Sequence, residues 1–91
     1  MYYAIYCLDS ENGAAARQQS REAHMAYLKD EPVKFLTAGP LMDKAGGGMV
    51  GSLFIIEADS YDEAKAFSDN DPFTQAGVFE SIAIHPYEKR I

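Results

Sequence analysis

The stretch VGSLFIIEADSYDE, residues 50–63, joins the most hydrophobic segment of the chain to a signal for the start of a helix. Residues 53–56 are four consecutive large apolar side chains, a run that is typical of a strand buried on both faces. Ser60 and Glu63 have the spacing of a capping box, in which the serine caps the amide of Glu63 and the glutamate returns the bond. The stretch therefore predicts a strand over residues 50–58 followed by a helix.

Residue types on either side of this unit predict another helix and three more strands. The first segment is rich in aromatic and branched residues and ends in a turn sequence, whereas the next is rich in good helix formers. Pro32 and Pro72 end the two helices, because the residue before a proline avoids the α region. The predicted elements are strands at Tyr2–Leu8, Val33–Ala38, Val50–Ala58 and Glu80–Tyr87, helices at Ala14–Lys29 and from Ser60 to near Asn70, a mobile loop at Met42–Gly48, and a short helical turn within Phe73–Phe79.

The order β-α-β-β-α-β predicts an α+β domain with the ferredoxin-like split βαβ fold. Right-handed crossovers place both helices on one face of a four-stranded antiparallel sheet, with the first and third strands in its centre. A chain of 91 residues has the length of a single domain, residues 1–91.

Because both central strands are apolar on both faces, the face without helices is too apolar for a monomer. We expect a homodimer stacked sheet to sheet, with higher assembly left open.

Charge and composition limit the classes of partner. Eight Lys+Arg against fourteen Asp+Glu give a net charge of −6, whereas nucleic acid and anionic membranes require a basic patch. No apolar run approaches the roughly 20 residues of a membrane span, and residues 1–7, MYYAIYC, lack the basic leader of a signal peptide. Cys7 is the sole cysteine, so a reducing, cytoplasmic location is expected. We expect neither a nucleic-acid nor a membrane partner.

Two interpretations are open for His24, which lies in the first predicted helix. The buried face of that helix is predicted to comprise Ala16, Ala23 and Tyr27. The polar stripe beside it comprises Arg17, Arg21, His24 and Leu28. This stripe is either a solvated face without function or a site in which two guanidiniums disfavour the imidazolium and favour a bound anion.

Asp71 lies at the end of the second predicted helix, where the macrodipole opposes negative charge. A carboxylate at such a place is either fully solvated or held by a partner. Asp71 followed by Pro72 matches an N-cap with proline at the first position of a short helix. The capping role is the simplest interpretation, and it is compatible with a role in an active site.

The remaining polar and reactive features favour structural roles. His85 is typical of a surface histidine, and Cys7 of a buried inert thiol. Gly46–Gly48 predict a flexible hairpin tip or, alternatively, a lid over a pocket. No Cys, His, Asp or Glu cluster has metal-ligand spacing and no cofactor motif is visible, so we expect neither a metal nor a cofactor. Core or dimer contacts are favoured over base stacking for three tyrosines, Tyr2, Tyr3 and Tyr6.

Five short strings, taken in their joint order, resemble the YciI-like (YCII-related) proteins. They are Arg17 with REAHMAYL at 21–28, AGPL at 38–41, Gly51-Ser52, DPF at 71–73 and AGVF at 76–79. The resemblance covers nearly the whole chain. It implies a dimeric α/β barrel of ferredoxin-like domains, which is the fold that the order of elements predicts independently.

The resemblance also implies a His–Asp pair at the edge of each protomer's sheet. His24 matches the family histidine of the first helix, and Asp71 matches the aspartate of the DPF string. The positions that match residues near the family pocket are Arg17, Gly39, Pro40 and Ser52. Arg17 or Arg21 would hold an anionic group of the substrate.

A His–Asp pair suits proton abstraction and return on a small molecule, because the aspartate fixes the imidazole tautomer and leaves the other nitrogen as acid or base. We therefore expect a cofactor-independent enzyme of the lyase or isomerase type, with His24 as acid/base and Asp71 as its orienting partner. The alternative is a non-catalytic module that holds a metabolite in the dimer cleft. A third hypothesis, RNA recognition, would need exposed aromatic side chains framed by basic residues on the open sheet face.

Overall fold

Seven elements follow one another in the computed structural model, which describes residues 1–91. They are β1 (Tyr2–Asp9), α1 (Gly13–Lys29), β2 (Lys34–Met42), β3 (Met49–Glu57), α2 (Tyr61–Asn70), α3 (Pro72–Gln75) and β4 (Phe79–Tyr87). Apart from the short turn α3, this is the β-α-β-β-α-β order, so the predicted α+β ferredoxin-like class is confirmed. None of the helices combines the length and the apolar character that crossing a membrane requires.

The four strands form one antiparallel sheet in the order β2-β3-β1-β4, with β1 and β3 in the centre as predicted. Tyr3, Ile5 and Cys7 alternate along β1 and are buried in the core with residues of β3 and α2. On the opposite face of the same strand, Tyr6 and Leu8 are 48% and 38% exposed. Both long helices therefore cover one face of the sheet, and a single chain leaves the other face open.

Strand β2 is longer than predicted, because the sequence Gly39-Pro40-Leu41 does not end it. All three residues stay in register with β3, and Pro40 lies opposite Ser52. A proline is tolerated here because β2 is an edge strand, where an amide hydrogen can be missing without loss of a ladder bond. The chain turns only at residues 43–48, where the amide of Asp43 donates to the carbonyl of Gly48 at 2.7 Å. The predicted hairpin tip is confirmed, with Gly46 and Gly48 at positive φ.

The buried face of α1 differs from the predicted one. Gly13, Arg17 and His24 are the buried residues of the helix, whereas Ala23 is exposed. The polar stripe faces the protein because Arg17 and His24 both find carboxylate partners there. Of the predicted face, Ala16 and Tyr27 are half-buried, and Tyr27 packs against the core. The prediction was therefore wrong at Ala23, and it missed the burial of Arg17 and His24.

Helices α2 and α3 begin where the sequence predicts, but only half of the predicted capping box forms. Ser60 accepts a hydrogen bond from the amide of Glu63 at 3.2 Å as predicted, whereas the Glu63 carboxylate accepts from the amide of Asp59 at 3.5 Å and not from that of Ser60. Asp71 caps α3, with Pro72 at the first helical position. Capping satisfies amides that have no partner within the helix, and it fixes Asp71 in space.

Glu31, just beyond the end of α1, is the only residue other than glycine with a positive φ, at 48°. This conformation costs a residue with a Cβ about 1–2 kcal/mol, whereas glycine adopts it freely at helix ends. We expect Glu31→Gly to raise the free energy of unfolding by about 1 kcal/mol in urea denaturation. Asp30→Gly is the control, because Asp30 is right-handed with φ −71°, and there glycine should lower stability by about 0.5–1 kcal/mol. A loss of stability in both variants would contradict the prediction.

Candidate active site

His24 and Asp71 are brought together across 47 residues of sequence by the packing of α1 against α3. His24 Nδ1 lies 2.7 Å from Asp71 Oδ1, and the two residues are only 7% and 1% exposed. The same carboxylate oxygen accepts the amide of Phe73 at 2.9 Å. Because an ionised carboxylate only accepts hydrogen bonds, Nδ1 donates to Asp71, and neutral His24 carries its lone pair on Nε2.

Aromatic rings hold the imidazole of His24 in a fixed plane. The Phe73 ring stacks on it with centroids 3.7 Å apart and planes 3° apart, and Phe54 meets it edge-on at 6.3 Å. No protein group forms a hydrogen bond with Nε2. This nitrogen is therefore the one that a bound molecule can use.

Arg17 lies nearly two helical turns before His24, and its guanidinium is surrounded by hydrogen-bond acceptors. Its Nε and Nη2 donate to the two carboxylate oxygens of Asp9 at 2.7 and 3.0 Å, while Nη2 also donates to the Gly51 carbonyl at 2.7 Å and to Ser52 Oγ at 3.0 Å. Its Nη1 contacts the sulfur of Met49 at 3.6 Å. The guanidinium charge is thus neutralised inside the protein.

A cleft of about 640 Å³ opens between α1, the β2–β3 hairpin and α3. Six of the seven predicted site residues line it, namely Arg17, Arg21, His24, Gly39, Pro40 and Ser52. The seventh, Asp71, is buried behind His24. Arg21 is exposed and forms no ion pair, so it is the arginine of the cleft whose charge stays available.

Asp9, Phe54 and Phe73 belong to this arrangement and were not among the predicted site residues. A weak sequence pattern points to Asp9, because this residue continues the alternation of Tyr3, Ile5 and Cys7 on the face of the sheet that α1 covers. His85 is exposed on β4, opposite Ala4, as predicted for a surface histidine. No three His, Cys, Asp or Glu side chains come together in a way that would hold a metal ion.

Cys7 lies in the core, close enough to Asp71, Arg17 and Asp9 for their charges to act on its thiol. Burial, and next the negative charge of Asp71, raise the pKa of its thiol from 9.0 to about 12. The same two causes raise the pKa of Tyr27, whose hydroxyl donates to the Phe67 carbonyl at 2.8 Å. The predicted burial of the single thiol is confirmed.

The raised pKa of Cys7 predicts slow labelling of the folded protein by a thiol reagent such as DTNB. A rise from 9 to about 12 means that at pH 8 the folded protein holds about a thousand-fold less thiolate than the unfolded chain. We expect no reaction of the native protein over minutes and release of one equivalent of chromophore after urea is added. Labelling of the native protein at the rate of the unfolded chain would contradict this placement of Cys7.

Comparisons with known proteins agree over almost the whole chain. A family model described as the YCII-related domain matches residues 1–88. The chain is 35% identical to Protein YciI of Escherichia coli O6:H1, with 98% of each chain covered. An uncharacterised protein of Haemophilus influenzae is 33% identical with the same coverage.

Solved structures add a relative of known activity. The 5-chloro-2-hydroxyhydroquinone dehydrochlorinase TftG of Burkholderia phenoliruptrix AC1100, solved in complex with 2,5-dihydroxybenzoquinone, is 35% identical, with a TM-score of 0.89 and coverage of 97% of this chain and 94% of that one. An antibiotic biosynthesis monooxygenase at 15% identity and a TM-score of 0.53, covering 98% of this chain and 100% of its own, shares the fold alone. Small-molecule catalysis therefore occurs among the relatives.

Proposed function

This chain belongs to the YCII-related family, and we infer that it is an enzyme which moves protons on a small molecule. Its reaction would be an isomerisation or an elimination, with His24 as acid/base and Asp71 as the residue that orients it. The observation that carries this proposal is the 2.7 Å contact between His24 Nδ1 and the buried carboxylate of Asp71. The imidazole that makes this contact lines a cleft. The dehydrochlorinase activity of a relative at 35% identity supports the reaction class.

The geometry suits His24 to act through Nε2. Asp71 keeps the hydrogen of the neutral imidazole on Nδ1, and its negative charge stabilises the imidazolium that forms when Nε2 takes a proton. Phe73, stacked on the imidazole, presents a π face that also favours the cation. General acid–base catalysis of this kind contributes about 10²–10⁴-fold to a rate.

The reaction needs no electron acceptor. In an isomerisation, Nε2 removes a proton from one substrate atom and the imidazolium returns it to another. In an elimination, the electron pair of the broken bond to hydrogen forms a new π bond, and the leaving group departs with its own electron pair. Loss of HCl from a chlorinated trihydroxybenzene, for example, yields a hydroxyquinone and balances in this way.

The lining of the cleft favours a compact cyclic substrate with an anionic or ionised hydroxyl group. Phe54, Phe73 and Pro40 offer apolar surface for a ring. Arg21 supplies a positive charge without a carboxylate partner in the protein, and a guanidinium pairs well with an oxyanion. A ligand of this kind agrees with the small, anionic molecule that the sequence predicts as the partner of this site.

A substitution of His24 tests the proposed role directly. Uptake of deuterium from the solvent would be measured on small cyclic enols. Release of chloride would be measured with 5-chloro-2-hydroxyhydroquinone as the substrate. We expect His24→Gln to lower the rate by about 10²–10⁴-fold and to remove a limb of the pH–rate profile. His85→Gln is the matched control, because His85 is exposed and outside the cleft, and it should keep the rate of the wild type.

An unchanged rate in His24→Gln would refute the acid/base role. Saturable binding without any chemical change in the ligand, in the wild type as well, would favour a non-catalytic module that holds a metabolite. A cooperative unfolding transition in urea, like that of the wild type, shows that each variant is folded before denaturant is added.

The partner that we propose is a second copy of the chain, stacked on the open face of the sheet. Tyr6 lies opposite Leu53 on that face, and Ala4 lies opposite Ile55. Tyr6 is 48% exposed in the single chain. An apolar surface formed by two adjacent strands favours a self-complementary twofold contact.

Sedimentation equilibrium tests the dimer. We expect a mass of about 20 kDa, twice the 10.0 kDa of the chain, and a shift toward the monomer in Tyr6→Asp, because a carboxylate would be buried without a partner. Tyr61→Asp is the control, since Tyr61 is similarly exposed, at 46%, but lies at the start of α2. A wild-type mass near that of one chain at micromolar concentration would refute the dimer.

A further inference from the structure

Ser52 has a buried hydroxyl that lines the cleft and is already engaged as an acceptor. It is only 4% exposed, and its Oγ accepts from Arg17 Nη2 at 3.0 Å. The hydroxyl hydrogen has no acceptor within the protein. A hydroxyl both accepts and donates, so Ser52 retains one donor for a molecule in the cleft.

The hydrogen bond from Arg17 makes Ser52 a better donor. A hydroxyl that accepts from a cation is polarised, which strengthens the bond that its own hydrogen makes. Arg17 itself is held by both carboxylate oxygens of Asp9 and by the Gly51 carbonyl. The chain Asp9–Arg17–Ser52 therefore fixes the Ser52 oxygen at the wall of the cleft.

Ser52 and His24 face the same cleft from adjacent elements. Phe54 follows Ser52 by two residues and so lies on the same face of β3, and its ring meets the imidazole of His24 edge-on at 6.3 Å. A small ring in the cleft can thus contact an acid/base nitrogen and a hydroxyl donor at two of its atoms. Both groups line the one cavity of about 640 Å³.

We propose that Ser52 donates a hydrogen bond to a carbonyl or enolate oxygen of the substrate, and that Arg17 is a positioning residue that acts through Ser52. This inference rests on the proposed function and names its substrate class as enolisable ketones and hydroxylated rings. When Nε2 of His24 takes a proton from the carbon beside the carbonyl, the C–H electron pair forms a C=C bond and the carbonyl π electrons move to oxygen. Ser52 stabilises that developing negative charge.

Arg17 does not serve as the anion binder in this scheme. Two of its three nitrogens are occupied by protein acceptors, and the third, Nη1, contacts the sulfur of Met49. Its charge reaches the substrate oxygen through the hydroxyl of Ser52. Direct pairing with an anionic group is left to Arg21, which has no partner in the protein.

Binding of 2,5-dihydroxybenzoquinone, a coloured ring with carbonyl and ionisable hydroxyl oxygens, tests the donor role of Ser52. Binding and the shift of its absorption band would be measured with the full-length wild type, Ser52→Ala and Ser52→Thr. We expect Ser52→Ala to weaken binding by about ten-fold or more, as for loss of a hydrogen bond to a charged group, and to remove most of the band shift. Ser52→Thr keeps the hydroxyl and should retain both.

Ser20→Ala is the matched control, because Ser20 bonds to the carbonyl of Ala16 within α1 and lies outside the cleft. It should bind the quinone as the wild type does. Unchanged affinity and band shift in Ser52→Ala would overturn the proposal, as would a wild type that does not bind the quinone. Neither result alters the outcome of the deuterium-exchange test on His24, so failure of this inference is distinct from failure of the proposed function.

A double-mutant cycle tests the positioning role of Arg17. We expect Arg17→Lys alone to weaken quinone binding by about ten-fold. In a protein that already carries Ser52→Ala, the same substitution should weaken binding by less than about two-fold, because the effects of substitutions at coupled residues are not additive. The same loss in both backgrounds would show that Arg17 acts directly and would overturn its assignment as a positioning residue. The serine variants decide the donor role even where Arg17→Lys does not fold.

Discussion

The bidentate pair between Arg17 and Asp9 is the constraint on which the arrangement of the site depends. Both side chains are nearly buried, and removing a charge from water costs several kcal/mol unless a partner and further hydrogen bonds offset it. Asp9 supplies the partner, and the Gly51 carbonyl and Ser52 supply the further acceptors. Helix α1 can therefore lie on the sheet in only one rotation, because any other would leave a guanidinium or a carboxylate buried alone.

That rotation places His24 as well. It lies seven residues after Arg17, close to two helical turns, so it lies on the same face of α1. The carboxylate that it meets is fixed independently, by the cap that Asp71 forms with the amide of Phe73. One element is oriented by an ion pair and the other by a helix cap, and the His24–Asp71 contact results from the two together.

These facts explain which parts of the site were predictable from sequence. Capping and the element order are local signals, so Asp71 as an N-cap and the ferredoxin-like class followed from short strings. The side of α1 that faces the core did not, because small alanines give a weak apolar stripe and the partners of Arg17 and His24 lie 8 and 47 residues away. Similarly, Gly39 and Pro40 are locally turn residues. Only the pairing of β2 with β3 at the sheet edge keeps them extended, and it thereby makes them a wall of the cleft.

The charge of the cleft differs in sign from that of the chain, and the pairing of the buried groups explains why. The net charge of −6 is spread over a surface where interactions beyond about 8 Å are screened at physiological salt. Asp9 is neutralised by Arg17, and Asp71 keeps its negative charge but is buried behind His24 and does not line the cleft. The side chain that lines the cleft with a charge not paired in the protein is that of Arg21. A polyanion long enough to touch the surface meets the acidic field, whereas an anion small enough to enter the cleft meets a guanidinium first.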